Sequence, residues 1–248
     1  MCTLVLFCGV SEKHPLTIAA NRDEVPTRPS REPYQQTDAV FAPQDLRRGG
    51  TWIGVNRHGL AVALTNRDRG SERKGWRSRG LLVNDCLNAA TRDEAMAAAR
   101  RLNPQGYSGF HLVAADRSGA SLLVNDGDAY VHTELGAGMH VITSFGTARG
   151  HHARDVMIRM RMTQSMADDP VALARLLSFH GPGPEDGTCA HGIHLLDACV
   201  HACCGNGVAA CVAFRSPLRD AALENRTRAT VHLTPSPPPS WRAFCCSG

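Results

Sequence analysis

Residues 16–24, which read LTIAANRDE, are the stretch that decides the fold. A run of small and apolar residues, typical of a buried strand, leads directly into four consecutive polar residues: Asn21, Arg22, Asp23 and Glu24. Four polar residues in a row are costly inside a sheet unless a site there uses them. This end of the strand is therefore a candidate functional site.

The segment upstream of this stretch predicts a β-hairpin. Residues 3–10 are rich in β-branched and other apolar residues, and residues 11–15 have the composition of a turn. Pairing of the two strands would bring Cys2 beside the polar residues. Cys2 is therefore included in the candidate site.

Cys2 is the candidate nucleophile. A residue as small as Cys in the second position usually permits removal of Met1, which would give Cys2 a free α-amine. An unperturbed α-amine has a pKa of about 7.7–8.0 and a thiol one of about 8.5, so one residue would hold both base and nucleophile. The alternative is a frayed terminus next to a cluster of ion pairs at a strand end.

Three polar residues would support this chemistry. Arg22 would stabilise the thiolate through its fixed charge, and Asp23 would orient the ammonium group. Asn66, at the end of a later predicted strand, offers a side-chain N–H to a developing oxyanion.

The composition is that of an ordinary globular protein. The chain has 248 residues, 43% hydrophobic and 20% charged, which predicts one domain over residues 1–248. No apolar run reaches the roughly 18 residues of a spanning helix, and no signal peptide is recognised. We therefore expect a cytoplasmic protein without a membrane span.

The charge pattern does not indicate a nucleic-acid partner. The net charge of +4 is modest, and the basic residues concentrate between Arg67 and Arg79. This basic segment is either a solvated loop or a docking patch for an anionic partner.

The order of predicted elements indicates an α+β fold. Four prolines predict an extended loop over residues 25–43, and Thr91 with Glu94 forms the capping box of a helix. Helices are predicted at residues 81–87, 95–102, 151–166 and 170–179. Further strands are predicted at residues 49–56, 60–66, 110–115, 121–125, 129–132, 139–143, 195–201 and 208–214. Sheets covered by segregated helices explain this order, and an αββα four-layer sandwich is the specific prediction.

Several short motifs, in this order, resemble the NRDE family, also called the transport and Golgi organisation protein 2 family. They are MCT (1–3), AANRDE (19–24), GGTWIG (49–54), ALTN (63–66), SRG (78–80) and GFHL (109–112), followed by Asp116. The resemblance is strong over residues 1–116 and weak after about residue 144. The tail from about residue 203, rich in Cys, Arg and Pro, departs from the family, and a shifted reading frame would produce such a tail.

A more remote resemblance links the chain to the cholylglycine hydrolase and penicillin V acylase group of N-terminal nucleophile hydrolases. It rests on Cys2, Arg22, Asp23 and the strand of residues 59–66. The resemblance implies a mature N-terminal cysteine and hydrolysis of a non-peptide C–N bond in a small acyl amide. It makes Cys2 the nucleophile, Arg22 and Asp23 its supports and Asn66 the oxyanion donor. Residues expected to contact the substrate are Asn21, Trp52 and Ser144.

Two departures favour a different function. Ser144 stands where hydrolases of that group have a second asparagine, and Gly207 stands where they have an arginine. The alternative is a binding or trafficking protein of the same fold without turnover, since the NRDE family has been connected with intracellular haem handling. His111, Cys2 or the late Cys/His cluster would then be candidate axial ligands, although no haem attachment motif is present and no cofactor is predicted.

The late Cys/His cluster contains soft donors that suit zinc. Seven such residues lie within sixteen positions: Cys189, His191, His194, Cys199, His201, Cys203 and Cys204. Their spacing does not match two joined Cys-x-x-Cys pairs, so incidental thiols on a strand pair are the favoured interpretation and a metal site the alternative.

Overall fold

The computed structural model describes residues 2–22, 28–67, 77–144, 146–147, 153–177, 179, 199–204, 208–213 and 241–244. At residues 2, 146–147, 153–154 and from 199 onwards, the description covers the backbone only. Asp23, Gly207 and most of the basic segment of residues 67–79 lie outside the described residues, as do Cys189, His191 and His194.

Fourteen strands are described in this part of the chain. In chain order they are β1 (Cys2–Cys8), β2 (Leu16–Arg22), β3 (Ser30–Thr37), β4 (Val40–Asp45), β5 (Ile53–Asn56), β6 (Ala61–Asn66), β7 (Phe110–Asp116), β8 (Gly119–Asn125), β9 (Tyr130–Leu135), β10 (Gly138–Thr143), β11 (Gly146–Thr147), β12 (Cys199–Cys204), β13 (Val208–Ala213) and β14 (Trp241–Phe244). The helices are α1 (Arg79–Cys86), α2 (Arg92–Arg100), α3 (Ala153–Arg161) and α4 (Pro170–Leu177), with 3₁₀ turns at Pro104–Gly106 and Gln164–Asp168.

The strands form two seven-stranded sheets. The first has the order β11-β10-β1-β2-β13-β12-β14, and the second runs β3-β4-β5-β6-β7-β8-β9. Strands β1 and β2 form the predicted antiparallel hairpin, and the predicted late pair β12 and β13 is also antiparallel. The pairing of β13 with β2 is parallel, unlike every other pairing described.

The extended loop predicted for residues 25–43 is wrong, because strands β3 and β4 form a hairpin there. Strand β3 lies at the edge of its sheet, and its register shifts between Arg31 and Tyr34, on either side of Pro33. Pro43 lies beyond the Val40 and Phe41 pairing of β4 with β5. Both prolines occupy positions where a missing N–H interrupts no described ladder pairing.

Three buried clusters show the layers. Alternate residues of β1 and β2, such as Leu4 and Ile18, pack between the sheets against β5, β6, β7 and β8. The other face of the second sheet packs against α1 and α2, and that of the first against α3 and α4. The layer order is therefore helix, sheet, sheet, helix, which confirms the predicted αββα sandwich.

The predicted capping box starts α2. The Thr91 side chain accepts a hydrogen bond from the Glu94 N–H at 3.2 Å, and the Glu94 carboxylate accepts one from the Ala90 N–H at 2.9 Å. These contacts satisfy donors that the first turn of a helix leaves unpaired.

Within the described residues, no helix has both the length and the apolar character to cross a membrane.

The GGTWIG motif brings the second sheet close to the start of α1. The Thr51 N–H donates to the Gly80 carbonyl at 3.1 Å, and a Cβ at Gly50 would lie 2.3 Å from the carbonyl carbon of Gly80. The backbones of the GGTWIG and SRG motifs are thus in direct contact. This contact fixes Trp52, the next residue after Thr51, relative to α1.

We expect Gly50→Ala to destabilise the fold by roughly 1–3 kcal/mol or more, because the new methyl group collides with backbone that cannot rotate away. The measurement is urea unfolding. Gly106→Ala is the matched control, because a Cβ there meets nothing within 4 Å. Its effect should stay within about 0.5 kcal/mol. Equal losses in both variants would contradict the proposed backbone contact.

Candidate functional site

The hairpin register places Cys2 directly opposite Arg22. Cys2 and Arg22 are Cα partners in the β1–β2 pairing, as are Thr3 and Asn21. Opposite residues in an antiparallel pair lie about 4.5–5.5 Å apart between Cα atoms. The structure thus joins the first residue of β1 to the polar end of β2, as predicted.

The Arg22 side chain is buried against an aromatic ring and a carboxylate. Its guanidinium carbon lies 4.7 Å from the centroid of the Trp52 ring, and Nη2 lies 3.7 Å from Oδ2 of Asp45. Only 8% of Arg22 is exposed, and Trp52 is equally buried. A guanidinium over an indole gains cation–π attraction, which is stronger where water is excluded.

Asp45 binds a second arginine in the same place. Arg28 donates to Asp45 Oδ2 from Nε at 3.0 Å and from Nη2 at 2.5 Å. Burial by itself would raise the pKa of Asp45, but the hydrogen bonds and charge of Arg28, a hydrogen bond from the Arg47 N–H and the charge of Arg22 lower it below its ordinary value. Asp45 is therefore ionised at neutral pH. Asp45 thus forms ion pairs with both Arg22 and Arg28.

The end of β6 connects to this cluster through Trp52. The Leu64 N–H donates to the Trp52 carbonyl at 2.8 Å, so Asn66 lies two residues beyond this contact. Asn66 is partly buried at the last position of β6. By alternation it belongs with Val62 and Leu64, which face the helices, while Thr65 continues the series that faces the other sheet.

Ser144 comes next to the first position of β1. Thr143 is the Cα partner of Thr3, and Ser144 follows it with 4% exposure. The strand order therefore gathers Cys2, Arg22 and Ser144 at one end of the first sheet, with Trp52 and Asp45 contacting Arg22 from the second.

Asn21 points to the other side of the sheet. Its amide nitrogen donates to the Leu177 carbonyl of α4 at 2.7 Å. Neighbours in a strand face opposite ways, so Asn21 and Arg22 cannot share one side of the sheet. Asn21 therefore attaches the end of β2 to the helix layer.

The second sheet holds a buried histidine, His111, which the sequence marked as part of the GFHL motif and as one candidate axial ligand of haem. His111 is 2% exposed, and its Nδ1 lies 3.3 Å from Oγ1 of Thr65, its register partner. Burial lowers the pKa of His111 to about 4, and the nearby charge of Arg67 contributes. The imidazole is therefore neutral at physiological pH.

A family model described as Transport and Golgi organisation 2 matches residues 1–169. The chain belongs to this family. The NRDE resemblance seen in the motifs is thus confirmed.

Curated members of the Transport and Golgi organisation 2 family match part of the chain. The Bos taurus homolog is 34% identical over 110 residues, which cover 42% of this chain and 39% of that protein. The Homo sapiens homolog is 34% identical over 112 residues, covering 42% and 40%. The matched region of this chain thus spans about two fifths of the length of these relatives.

A solved structure shows the same fold. The Caenorhabditis elegans N-acylethanolamine-hydrolyzing acid amidase ortholog has a TM-score of 0.52 and 16% identity, covering 73% of this chain and 87% of that one. This likeness confirms the predicted fold of N-terminal nucleophile hydrolase type for the present member of the Transport and Golgi organisation 2 family.

The buried His111 predicts a loss of stability in acid. The unfolded chain binds a proton near the ordinary pKa of 6.5, whereas folded His111 stays neutral down to about 4. Stability from this residue therefore falls as the pH decreases from about 6.5 to about 4, by roughly 3 kcal/mol in total.

In His111→Gln the loss of stability that His111 causes in acid should be absent. The free energy of unfolding should therefore depend less steeply on pH between about 6.5 and about 4. His58→Gln, at an exposed turn between β5 and β6, is the control and should keep the wild-type slope. Denaturant unfolding at a series of pH values measures both. An unchanged slope in His111→Gln would show that the imidazole is not held neutral.

Proposed function

We propose that this protein is an N-terminal cysteine amidohydrolase that cleaves the C–N bond of a small non-peptide acyl amide. One observation carries the proposal: Cys2 lies opposite Arg22, whose guanidinium is buried against Trp52 and Asp45. Position 2 also belongs to the same alternating series as Leu4 and Leu6, which face the other sheet. A nucleophile at this position would lie on the side of the sheet where Arg22 contacts Trp52.

The reaction would proceed through a thioester. After removal of Met1, the α-amine of Cys2 takes the thiol proton, and the thiolate attacks the acyl carbonyl. The resulting tetrahedral intermediate breaks its C–N bond, and the leaving amine takes the proton from the ammonium group. Water then loses a proton to the same α-amine and attacks the thioester carbonyl, which releases the acid and restores the thiol.

Arg22 supplies the fixed positive charge in this scheme. A thiolate is favoured by a nearby cation, which lowers the thiol pKa. Asp45 and Trp52 hold the guanidinium in place, so that little reorganisation is needed when charge develops at Cys2.

The remaining site residues have proposed roles that differ in their support. Asp23 follows Arg22 directly and would orient the α-ammonium. Asn66 would act as oxyanion donor only if its side chain turned around the end of β6 toward Cys2, because alternation places it on the helix side of that strand. Trp52 and Ser144 would contact the acyl amide, and the hydroxyl of Ser144 would donate a hydrogen bond to it. Asn21 supports the site through its bond to Leu177.

The first test is the mass of the intact protein together with labelling by iodoacetamide. We expect Met1 to be absent and Cys2 to react faster than Cys8 and Cys86. Burial raises the pKa of the Cys8 thiol to about 11 and that of Cys86 to about 12, so both remain protonated and react slowly at neutral pH. Peptide mapping assigns the labelled thiol, and Cys2→Ala gives the background. Retention of Met1 would end the catalytic proposal.

The second test concerns the charge at Arg22. In Arg22→Gln the apparent pKa for Cys2 labelling should rise by about one unit or more, because the opposite charge that favours the thiolate is gone. The measurement is the labelling rate as a function of pH. Arg31→Gln is the control, since Arg31 also stacks on an aromatic ring, at 3.9 Å from Tyr34, but is exposed in β3. Equal profiles for Arg22→Gln and wild type would remove Arg22 from the proposed mechanism.

A second candidate function is binding of a small molecule, with haem as one ligand, without turnover. Ser144 favours it, because the hydroxyl has a shorter reach than the asparagine of the hydrolases. Haem titration of wild type and Cys2→Ala decides between the two functions. A saturable Soret shift in both proteins, with no acid released from a panel of acyl amides, supports binding.

The cytoplasmic location remains a prediction.

A further inference from the structure

A cavity of about 390 Å³ lies at the far end of the sandwich from Cys2. Four chain segments line it: the turn between β1 and β2, the start of α2, the turn between β7 and β8, and the end of β9 with the turn that follows. Cys8 is at this end of β1, six residues from Cys2, which is about 20 Å along a strand. The cavity is therefore separate from the proposed catalytic site and independent of it.

Arg92 is held at the side of this cavity. Its Nη1 lies 2.9 Å from Oε2 of Glu134, and its side chain is only 16% exposed. Gly119 makes room for it, because a Cβ at that position would lie 2.9 Å from the same Nη1. The absence of a side chain at Gly119 thus lets a guanidinium approach the β7–β8 turn.

Asp116 does not offer a free carboxylate to the cavity. Its Oδ1 accepts from the N–H and hydroxyl of Ser118, and its Oδ2 accepts from the Arg92 N–H at 3.2 Å. Burial favours protonation, but these hydrogen bonds and the charge of Arg92 hold the pKa of Asp116 below its ordinary value. Asp116 thus remains charged and occupied by its own turn.

Two exposed residues of opposite charge line the cavity, Arg117 and Glu134. Arg117, exposed on the β7–β8 turn, forms no ion pair with the residues that the structure describes. Glu134 keeps 56% of its side chain exposed while it binds Arg92, Ser121 and His132. A cation and a carboxylate thus line the same cavity, next to Arg92.

Apolar residues are also part of the lining of the cavity. Cys8 and Leu16 are buried at 4% and 1% exposure, and Leu135 packs against the same inter-sheet core. Because the Cys8 thiol remains protonated, it contributes a small apolar surface rather than a charge. The ligand side chain is assigned to this part of the lining because it carries no charge.

We propose that this cavity binds a small zwitterion with an apolar side chain, such as a free α-amino acid. Its carboxylate would lie against the guanidinium of Arg117, its ammonium group against Glu134, and its side chain over Cys8 and Leu16. Asp116 and Arg92 already have partners within the protein. A ligand with only a negative charge would face the carboxylate of Glu134 unfavourably, and one with only a positive charge would face the guanidinium of Arg117 unfavourably. Only a ligand with both charges matches both.

The test is calorimetric titration of the full-length protein with L-leucine and with two analogues that each lack one charge. These are 4-methylpentanoate, which lacks the ammonium group, and 3-methylbutylamine, which lacks the carboxylate. We expect both analogues to bind at least tenfold more weakly than L-leucine. Absence of L-leucine binding at millimolar concentration would overturn the proposal, and so would equal binding of either analogue.

Two variants locate the binding site. Glu134→Gln and Arg117→Gln should each weaken L-leucine binding about tenfold or more, which is the usual size of a lost charged contact. Arg57→Gln, at the exposed β5–β6 turn, is the control and should bind as wild type. Thermal unfolding without ligand shows whether each variant folds. Should Glu134→Gln not fold, Arg117→Gln decides, and unchanged L-leucine binding in a folded variant places the ligand elsewhere and overturns the proposal.

Discussion

The buried carboxylate of Asp45 is the constraint on which the proposed catalytic end of the sandwich depends. It lies in the second sheet but forms ion pairs with two arginines, one at the end of β2 and one in the segment before β3. A cation enclosed by Trp52 and the strand layers would be expensive to keep without such a partner. The ion pair therefore joins the two sheets where the hydrophobic layer between them ends.

The sequence predicted the hairpin, the layers and the position of Cys2 because these follow from local patterns. Alternation of apolar residues, the Thr91 capping box and the glycine motifs all act over a few residues. The contribution of Asp45 depends on contacts between distant strands, and no local pattern marks it. The loop predicted from the prolines was wrong for a related reason. Whether Pro33 breaks a strand depends on where that strand lies in the sheet, which is a tertiary property.

Alternation also separates the members of the NRDE stretch. Asn21 and Arg22 are adjacent in sequence, yet one anchors the strand to α4 and the other contacts Trp52 between the sheets. A run of polar residues in a strand therefore serves two layers at once. In this chain the arginine is the residue that lies on the inter-sheet side, and the asparagine bonds to the helix layer.

The parallel pairing of β13 with β2 has a consequence for biogenesis. Residues 16–21 acquire their second hydrogen-bonding neighbour only from residues 208–213, near the other end of the chain. During synthesis the early hairpin would present an unpaired, apolar edge until most of the polypeptide has left the ribosome. Such long-range closure slows folding and exposes a strand edge to other chains. Truncated or stalled products would thus carry an aggregation-prone edge that the finished protein covers.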